Sequence, residues 1–205
     1  MDVFEAIQER RSIRSYQDKP VEREKMERIL EAGRLAPSAK NCEPWHFIAV
    51  TDPQKRKALS GGTWAKFVSQ APLVIVACGD KKASPDWYAI DVALAVENMV
   101  LTATSEGLGT CCVGSFTEKD IKTALKIPEK FEVLVMIAVG YPSGKLDLSS
   151  KLLNIVRTRK SLSEVASEKN TANAWYQRKS WNFNIGAIHL HFTLCYSAWS
   201  FEAFL

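Results

Sequence analysis

The sequence predicts an α+β protein in which helices cover both faces of one sheet. Two continuous apolar runs, residues 73–78 and 133–139, are typical of strands that are covered on both faces. Elsewhere, apolar residues recur at spacings of three and four, which indicates amphipathic helices. With 205 residues, the chain is long enough for one domain with a substantial core.

Two helices are predicted before the first strand. Asp2 is the expected N-cap of a short helix whose Phe4 and Ile7 face the core. A second helix is expected over residues 22–35, and Pro37 ends it because proline removes a backbone donor. The chain then passes through a polar turn.

The middle of the chain alternates strands and helices. Residues 47–50 predict a strand, and Asp52 followed by Pro53 predicts the start of a helix. After the buried strand at 73–78, a long helix is expected over residues 87–105. This helix has few polar groups, so we expect it to be buried in the core or in a subunit interface.

Three further elements complete the predicted core. Residues 110–113 predict a short strand, and Thr117 predicts the cap of a helix that ends before Pro128. The buried strand at 133–139 follows, and another helix is expected from about residue 162.

Composition argues against several classes of function. The net charge of +4 is mild, and no basic run alternates with aromatic residues, so no nucleic-acid partner is expected. The N-terminus lacks the pattern of a signal peptide, and the location is predicted to be cytoplasmic. The five cysteines show neither paired spacing nor a zinc pattern, so no metal site is expected.

The end of the chain differs in character from the rest. It is rich in aromatic residues from Trp175 onward, and residues 185–201 contain no Asp, Glu, Lys or Arg. We assign residues 171–205 to a C-terminal extension that packs on its own or a partner subunit. A membrane-surface segment and a shifted reading frame are the alternatives, although no membrane partner is expected for the protein.

Two polar segments near the start carry the functional signal. Arg10, Ser12 and Arg14 alternate, so in an extended stretch they project to one face. Two guanidinium groups around a hydroxyl suit a phosphate monoester. The alternative is a charge cluster in water at the end of a helix.

The second segment is the polar turn at residues 36–45, Ala-Pro-Ser-Ala-Lys-Asn-Cys-Glu-Pro-Trp. Ser38 and Asn41 offer short polar side chains that can bond the edge of a planar heterocycle. An ordinary surface turn is the alternative interpretation.

In this order and spacing, the two segments resemble the nitroreductase family, with its Arg-Arg-Ser-x-Arg and Pro-Ser-x-x-Asn-x-Gln-Pro-Trp patterns. Glu43 departs from the pattern, since the family usually has Gln there. The resemblance continues through Gly-Leu-Gly at 107–109 and Gly-Tyr-Pro at 140–142 to the basic pair at 157 and 159. It covers about residues 2–170, and we assign residues 1–170 to a nitroreductase-like domain.

The resemblance implies a mostly antiparallel sheet, a homodimer and FMN as cofactor. Ser38 and Asn41 would come from the other subunit, and a backbone amide near Val113 or Gly114 would face flavin N5. No catalytic side chain is expected, because the flavin carries the chemistry. The residues assigned to the cofactor are Arg10, Arg11, Ser12, Arg14, Pro37, Ser38, Asn41, Cys112, Val113, Gly114, Arg157 and Arg159.

The function implied by this resemblance is hydride transfer from NADH or NADPH to a small electron-poor acceptor, a nitroaromatic or a quinone, by a ping-pong mechanism. Related flavin chemistry, such as reductive dehalogenation or flavin fragmentation, is an alternative on the same scaffold. A flavin carrier without turnover is the alternative outside catalysis.

Overall fold

The structure, a computed structural model, describes residues 1–62, 65–144 and 159–166. The chain divides into two units, Met1–Arg157 and Thr158–Leu205. The predicted domain boundary after residue 170 and the aromatic extension both lie outside the described residues. They therefore stay predictions.

The described part of the first unit contains a four-stranded sheet. Its strands are β1 (Trp45–Val50), β2 (Leu73–Asp80), β3 (Gly109–Val113) and β4 (Phe131–Gly140). They lie in the order β1-β2-β4-β3, and every neighbouring pair is antiparallel. The two continuous apolar runs form the central strands β2 and β4, which helices cover on both sides. The predicted fold class is confirmed.

The predicted helices form close to their expected bounds. Among the described residues of the first unit they are α1 (Val3–Glu9), α2 (Arg23–Arg34), α3 (Pro53–Ala58), α4 (Tyr88–Ser105) and α5 (Glu118–Leu125). Two short 3-10 helices, Ala39–Asn41 and Lys66–Gln70, were not predicted. Buried residues of α2 and α4 pack on one face of the sheet, and Leu59 after α3 and Ile121 of α5 pack on the other.

The second unit contains one helix among its described residues, α6 (Leu162–Val165). Ser161 and Glu164 form a capping box at its start, which satisfies two backbone donors that a helix leaves unpaired. The start of this helix at Leu162 agrees with the prediction.

The prediction for α1 was wrong about which side faces the core. In the single chain Phe4 is 66% and Ile7 49% exposed, whereas Ala6 is buried. The helix contacts α4, and the small Ala6 side chain is the one that enters this contact. The larger apolar side chains therefore stay outside. Together with two exposed residues of α4 they form what we call the α1–α4 face: Val3, Phe4, Ile7, Ile90 and Leu94.

The end of β4 holds the start of α2 through a short polar contact. The Tyr141 hydroxyl donates to Glu22 Oε2 at 2.6 Å, and Lys19 Nζ lies 3.2 Å from Glu22 Oε1. Lys19 Nζ also lies 3.8 Å from the centroid of the Tyr141 ring. The Tyr141 hydrogen bond is the largest cause that lowers the pKa of Glu22 from 4.5 to about 2.

Replacing Tyr141 with phenylalanine is expected to raise the pKa of Glu22 toward its ordinary value. Since the folded-state pKa is depressed, this contact stabilises the native state fully above about pH 4.5 and is lost as the pH falls toward 2. A titration of the Glu22 side-chain carboxyl carbon by NMR measures the shift. An unchanged midpoint in the variant would contradict the assignment, and Arg23→Ala, which leaves both Glu22 partners in place, is the matched control.

Candidate functional site

The segment at residues 10–16, here called the arginine segment, lies at the outer edge of β3. Ser12 forms a parallel bridge with Thr110, and the Ile13 amide donates to the Thr110 carbonyl oxygen at 2.8 Å. The segment runs along the edge of the sheet, and Ile13 packs against the core. That Arg10, Ser12 and Arg14 share one face stays a prediction.

Tyr16 fixes the end of the arginine segment. It is buried, and its hydroxyl lies 2.6 Å from the Ile13 carbonyl oxygen and 3.2 Å from that of Ala138 in β4. Burial raises the pKa of this phenol, so the proton that both carbonyl groups share is retained. Tyr16 therefore ties the arginine segment to the central sheet.

Gly109 permits this close approach at the start of β3. A Cβ atom at Gly109 would lie 2.6 Å from Ile13 Cγ1, which is closer than real Cβ contacts. The preceding glycine has a different task. Gly107 has a φ of +76° and ends α4, and the Leu108 amide then donates to the Ala103 carbonyl oxygen at 2.9 Å. This helix end fixes where β3 begins.

The arginine segment carries two cations, Arg10 and Arg14, near the edge of β3. Among the described residues, no carboxylate lies within ion-pair distance of Arg10 or Arg14. The Arg14 guanidinium lies 6.0 Å from the centroid of the Phe67 ring, and both arginines lie close enough to Cys111 to act on its thiol. Burial raises the pKa of Cys111, and the Arg14 charge acts in the opposite sense. This arrangement can hold an anion.

Arg11 has a different task from its neighbours. Its guanidinium donates to the carbonyl oxygens of Gln8 and Arg10, at the C-terminal end of α1. A cation at this end also suits the helix dipole. The sequence also assigned Arg11 to the cofactor, but in this structure its guanidinium is engaged at the end of α1, so the proposed phosphate contacts rest on Arg10, Ser12 and Arg14.

The segment at residues 38–43, here called the Ser38 loop, carries most of its hydrogen bonds internally. Ser38 Oγ accepts from the Glu43 amide at 2.9 Å, and Asn41 Nδ2 lies 3.4 Å from Glu43 Oε1. A carboxylate can only accept, so the Asn41 amide turns its nitrogen toward Glu43. Among the described residues, the Ser38 hydroxyl proton and Asn41 Oδ1 have no hydrogen-bond partner, so they are available as one donor and one acceptor.

The Ser38 loop is joined to α4 by a buried acid. Asp91, in the first turn of α4, is 3% exposed. Its Oδ1 accepts from the Ala39 amide at 3.0 Å, and its Oδ2 accepts from the Ser84 hydroxyl at 3.1 Å. Asp91 was not among the site residues predicted from the sequence. The available signal was its position four residues before Ala95, which places a carboxylate on the buried side of an apolar helix.

The exit from β3 presents backbone rather than side chains. Cys112 is exposed and Val113 buried, and a Cβ atom built on Gly114 meets no atom within 4 Å. The Gly62 backbone packs against this exit, since a Cβ atom there would lie 1.8 Å from the Ser115 carbonyl oxygen. The backbone around Gly114 is thus open to a ligand.

Comparisons with known proteins show the family of this chain. The sequence model of the Nitroreductase family matches residues 7–66 and 60–141. A protein of Archaeoglobus fulgidus with the provisional name NADH dehydrogenase/NAD(P)H nitroreductase is 36% identical over 154 residues, which cover 71% of this chain and 88% of that protein. The chain belongs to the nitroreductase family.

Two further proteins are similar to this chain. A structure described as an FMN-dependent nitroreductase from Clostridium difficile R20291 has a TM-score of 0.63 and 34% identity. The match covers 76% of this chain and 98% of that chain. A protein named FMN reductase [NAD(P)H] from Bacillus subtilis is 28% identical over 170 residues, which cover 70% of this chain and 67% of that protein.

In a single copy of this chain, the predicted site residues fall into two separate groups. The arginine segment and the β3 exit adjoin each other, whereas the Ser38 loop precedes β1 at the opposite edge of the sheet. Four strand spacings of about 4.8 Å separate β1 from the arginine segment beyond β3, or roughly 19 Å. Pro37, exposed just before the loop, belongs with the loop group.

The role of the basic pair, Arg157 and Arg159, in the phosphate site stays a prediction. Arg157 lies outside the described residues, and Arg159 is an exposed residue of the second unit. Within residues 1–62, 65–144 and 159–166, no group of three His, Cys, Asp or Glu side chains is arranged to hold a metal ion. No helix in that part of the chain is long and apolar enough to cross a membrane.

Proposed function

We propose that this protein is an FMN-dependent oxidoreductase that takes hydride from NAD(P)H and reduces a small electron-poor acceptor, a nitroaromatic or a quinone. Its family and the names of its relatives bear out the predictions of an NAD(P)H-dependent oxidoreductase and of FMN. The acceptor, the ping-pong order and the cytoplasmic location are the finer parts of the proposal. The arginine segment is the observation that supports it most.

The chemistry of the donor set fits FMN. The terminal phosphate of FMN is a dianionic monoester, and Arg10, Ser12 and Arg14 offer it two cations and a hydroxyl. These groups sit on a segment that Tyr16 and Thr110 hold in place, so little side-chain and backbone freedom is lost on binding.

The Ser38 loop suits the pyrimidine edge of the isoalloxazine ring. That edge carries an imide N–H between two carbonyl oxygens. Asn41 Oδ1 can accept from the imide, and the Ser38 hydroxyl can donate to a carbonyl oxygen. FMN, when bound, supplies the hydride and electron transfer, and the residues of the chain bind and orient it.

A homodimer is part of this proposal. One chain holds the arginine segment and the Ser38 loop at opposite edges of its sheet, so a second copy that supplies the loop would complete the site. The α1–α4 face offers a surface for that copy, because it exposes Phe4, Ile7, Ile90 and Leu94 on two contacting helices. Contiguous exposed apolar side chains of this kind mark interaction sites.

Replacing Leu94 with aspartate is expected to separate the dimer into monomers, because a charge would be buried without a partner in the interface. FMN should be lost along with the dimer. Light scattering after size-exclusion chromatography measures the mass, and absorbance of the same peak measures the bound flavin. Thr123→Asp, an exposed position on α5, is the control and should stay dimeric. A Leu94→Asp variant that stays dimeric would contradict the assigned interface.

The proposed function is tested by the absorbance spectrum of the purified protein before and after anaerobic addition of NADH or NADPH. Flavin bands that bleach with either nucleotide are expected. Initial rates at several concentrations of donor and acceptor should then give parallel double-reciprocal lines. Bands that neither nucleotide bleaches would favour a carrier or another donor, and failure to bind FMN at all would overturn the proposal.

A further inference from the structure

Asp91 is a buried carboxylate to which neither the sequence nor the proposed reaction assigns a task. Its two oxygens bind the Ala39 amide and the Ser84 hydroxyl, and neither partner belongs to its own helix. We propose that Asp91 is a positioning residue that holds the Ser38 loop in the conformation that binds FMN. This inference rests on the proposed function, because it needs the Ser38 loop to contact the cofactor.

The Ser38 loop needs an external restraint because its backbone is strained. Lys40, Asn41 and Glu43 have φ values of 52°, 54° and 45°, in the left-handed region that favours glycine. Such a conformation is unfavourable for a residue other than glycine and persists where the surrounding structure dictates it. Asn41 carries the predicted ligand contact and Lys40 is its direct neighbour, so the strain is located at the predicted site.

The contact with Asp91 provides that restraint. Within the described residues, the bond from Ala39 to Asp91 is the one hydrogen bond that joins residues 38–43 to another element. The remaining bonds of the loop stay inside it. Since α4 is anchored in the core by Ala95, Val96 and Met99, the loop takes its position from a helix that is fixed in the core.

A carboxylate suits this position for two reasons. Both of its oxygens accept, so it can bind an amide and a hydroxyl at once. It also lies in the first turn of α4, where the helix dipole favours a negative charge. Asparagine can keep both contacts, because its oxygen accepts from Ala39 and its nitrogen donates to Ser84 Oγ. Alanine leaves both partners unpaired in a buried place.

The test compares Asp91→Ala and Asp91→Asn with Val92→Ala, a variant of the next residue in α4, which is also buried. Three quantities are measured: FMN affinity by fluorescence titration of the FMN-free protein, the thermal midpoint, and hydrogen exchange of the Ala39 amide without FMN. Asp91→Ala should bind FMN about tenfold more weakly and exchange Ala39 faster. Asp91→Asn should recover the affinity to within about threefold. Val92→Ala should lower the thermal midpoint while its FMN affinity stays unchanged.

The outcomes separate this inference from the proposed function. If Asp91→Ala binds FMN as tightly as Val92→Ala and Ala39 exchange is unchanged, the positioning role is overturned. If the parent protein binds no FMN, the proposed function fails and this inference fails with it. If the parent protein binds FMN, the variants decide whether Asp91 has the positioning role. If Asp91→Ala does not fold, Ser84→Ala decides instead. It should weaken FMN binding about fivefold, and an unchanged affinity would overturn the inference.

Discussion

Replacing Arg14 with alanine is expected to weaken FMN binding about ten- to hundredfold. A hydrogen bond to a charged group contributes roughly 1.5–3 kcal/mol, and each 1.4 kcal/mol is about tenfold in affinity. Arg14 is suited to this role because no carboxylate among the described residues lies within ion-pair distance of it, and its guanidinium lies 6.0 Å from the centroid of the Phe67 ring. Retention of flavin during dialysis, followed by titration with FMN, measures the effect.

Arg11→Ala is the matched control for Arg14→Ala. It removes the same charge from the same segment, but its guanidinium binds the backbone at the end of α1. We expect a small loss of FMN affinity from the weaker field and no more. An Arg14→Ala variant that retains its flavin as well as the parent would overturn the phosphate assignment. Equal large losses in both variants would mean that net charge, rather than a contact, holds the phosphate.

Replacing Gly109 with alanine is expected to destabilise the protein by about 1–3 kcal/mol, the usual cost of overpacking. The new methyl group would lie 2.6 Å from Ile13 Cγ1 and 2.8 Å from Ile13 Cβ, so the arginine segment must move away from β3. FMN binding should weaken as well, because Arg14 follows directly after Ile13. Urea denaturation and FMN titration measure the two effects.

Gly61→Ala is the control for Gly109→Ala. A Cβ atom at Gly61 meets no atom within 4 Å, so its free energy of unfolding should stay within about 0.5 kcal/mol of the parent value. If Gly109→Ala is as stable as Gly61→Ala, the close contact between Ile13 and β3 does not hold in solution. If it loses stability but keeps its FMN affinity, the arginine segment does not depend on this contact for its position.

The sequence predicted the elements of the fold well because their signals are local and repeated. Residues 73–78 and 133–139 are apolar throughout, and that composition requires cover on both faces. Gly107 marks the end of a helix because glycine adopts a positive φ without strain, and Pro53 marks the start of one because its φ is fixed at a helical value. The alternation of Arg10, Ser12 and Arg14 is a local signal of the same kind, and the shared face that it indicates stays a prediction.

The rest depends on contacts between distant residues. The periodicity of α1 shows that Phe4 and Ile7 share a side, but the direction of that side is set by how Ala6 meets α4. The restraint on the Ser38 loop joins Ala39 to Asp91 across 52 residues, and no local pattern indicates such a pair. The left-handed backbone at Lys40, Asn41 and Glu43 was also unpredicted, because none of these residues is glycine.

The position of the arginine segment has a consequence for solubility. An exposed strand edge is a template for pairing with another chain, and β3 would be such an edge if residues 12 and 13 did not cover it. The arginine segment therefore covers this edge of the sheet, which opposes aggregation, and it also carries the proposed phosphate contacts. A change that loosens this segment should make the protein prone to assemble through its strands, and added phosphate ligand should slow that assembly.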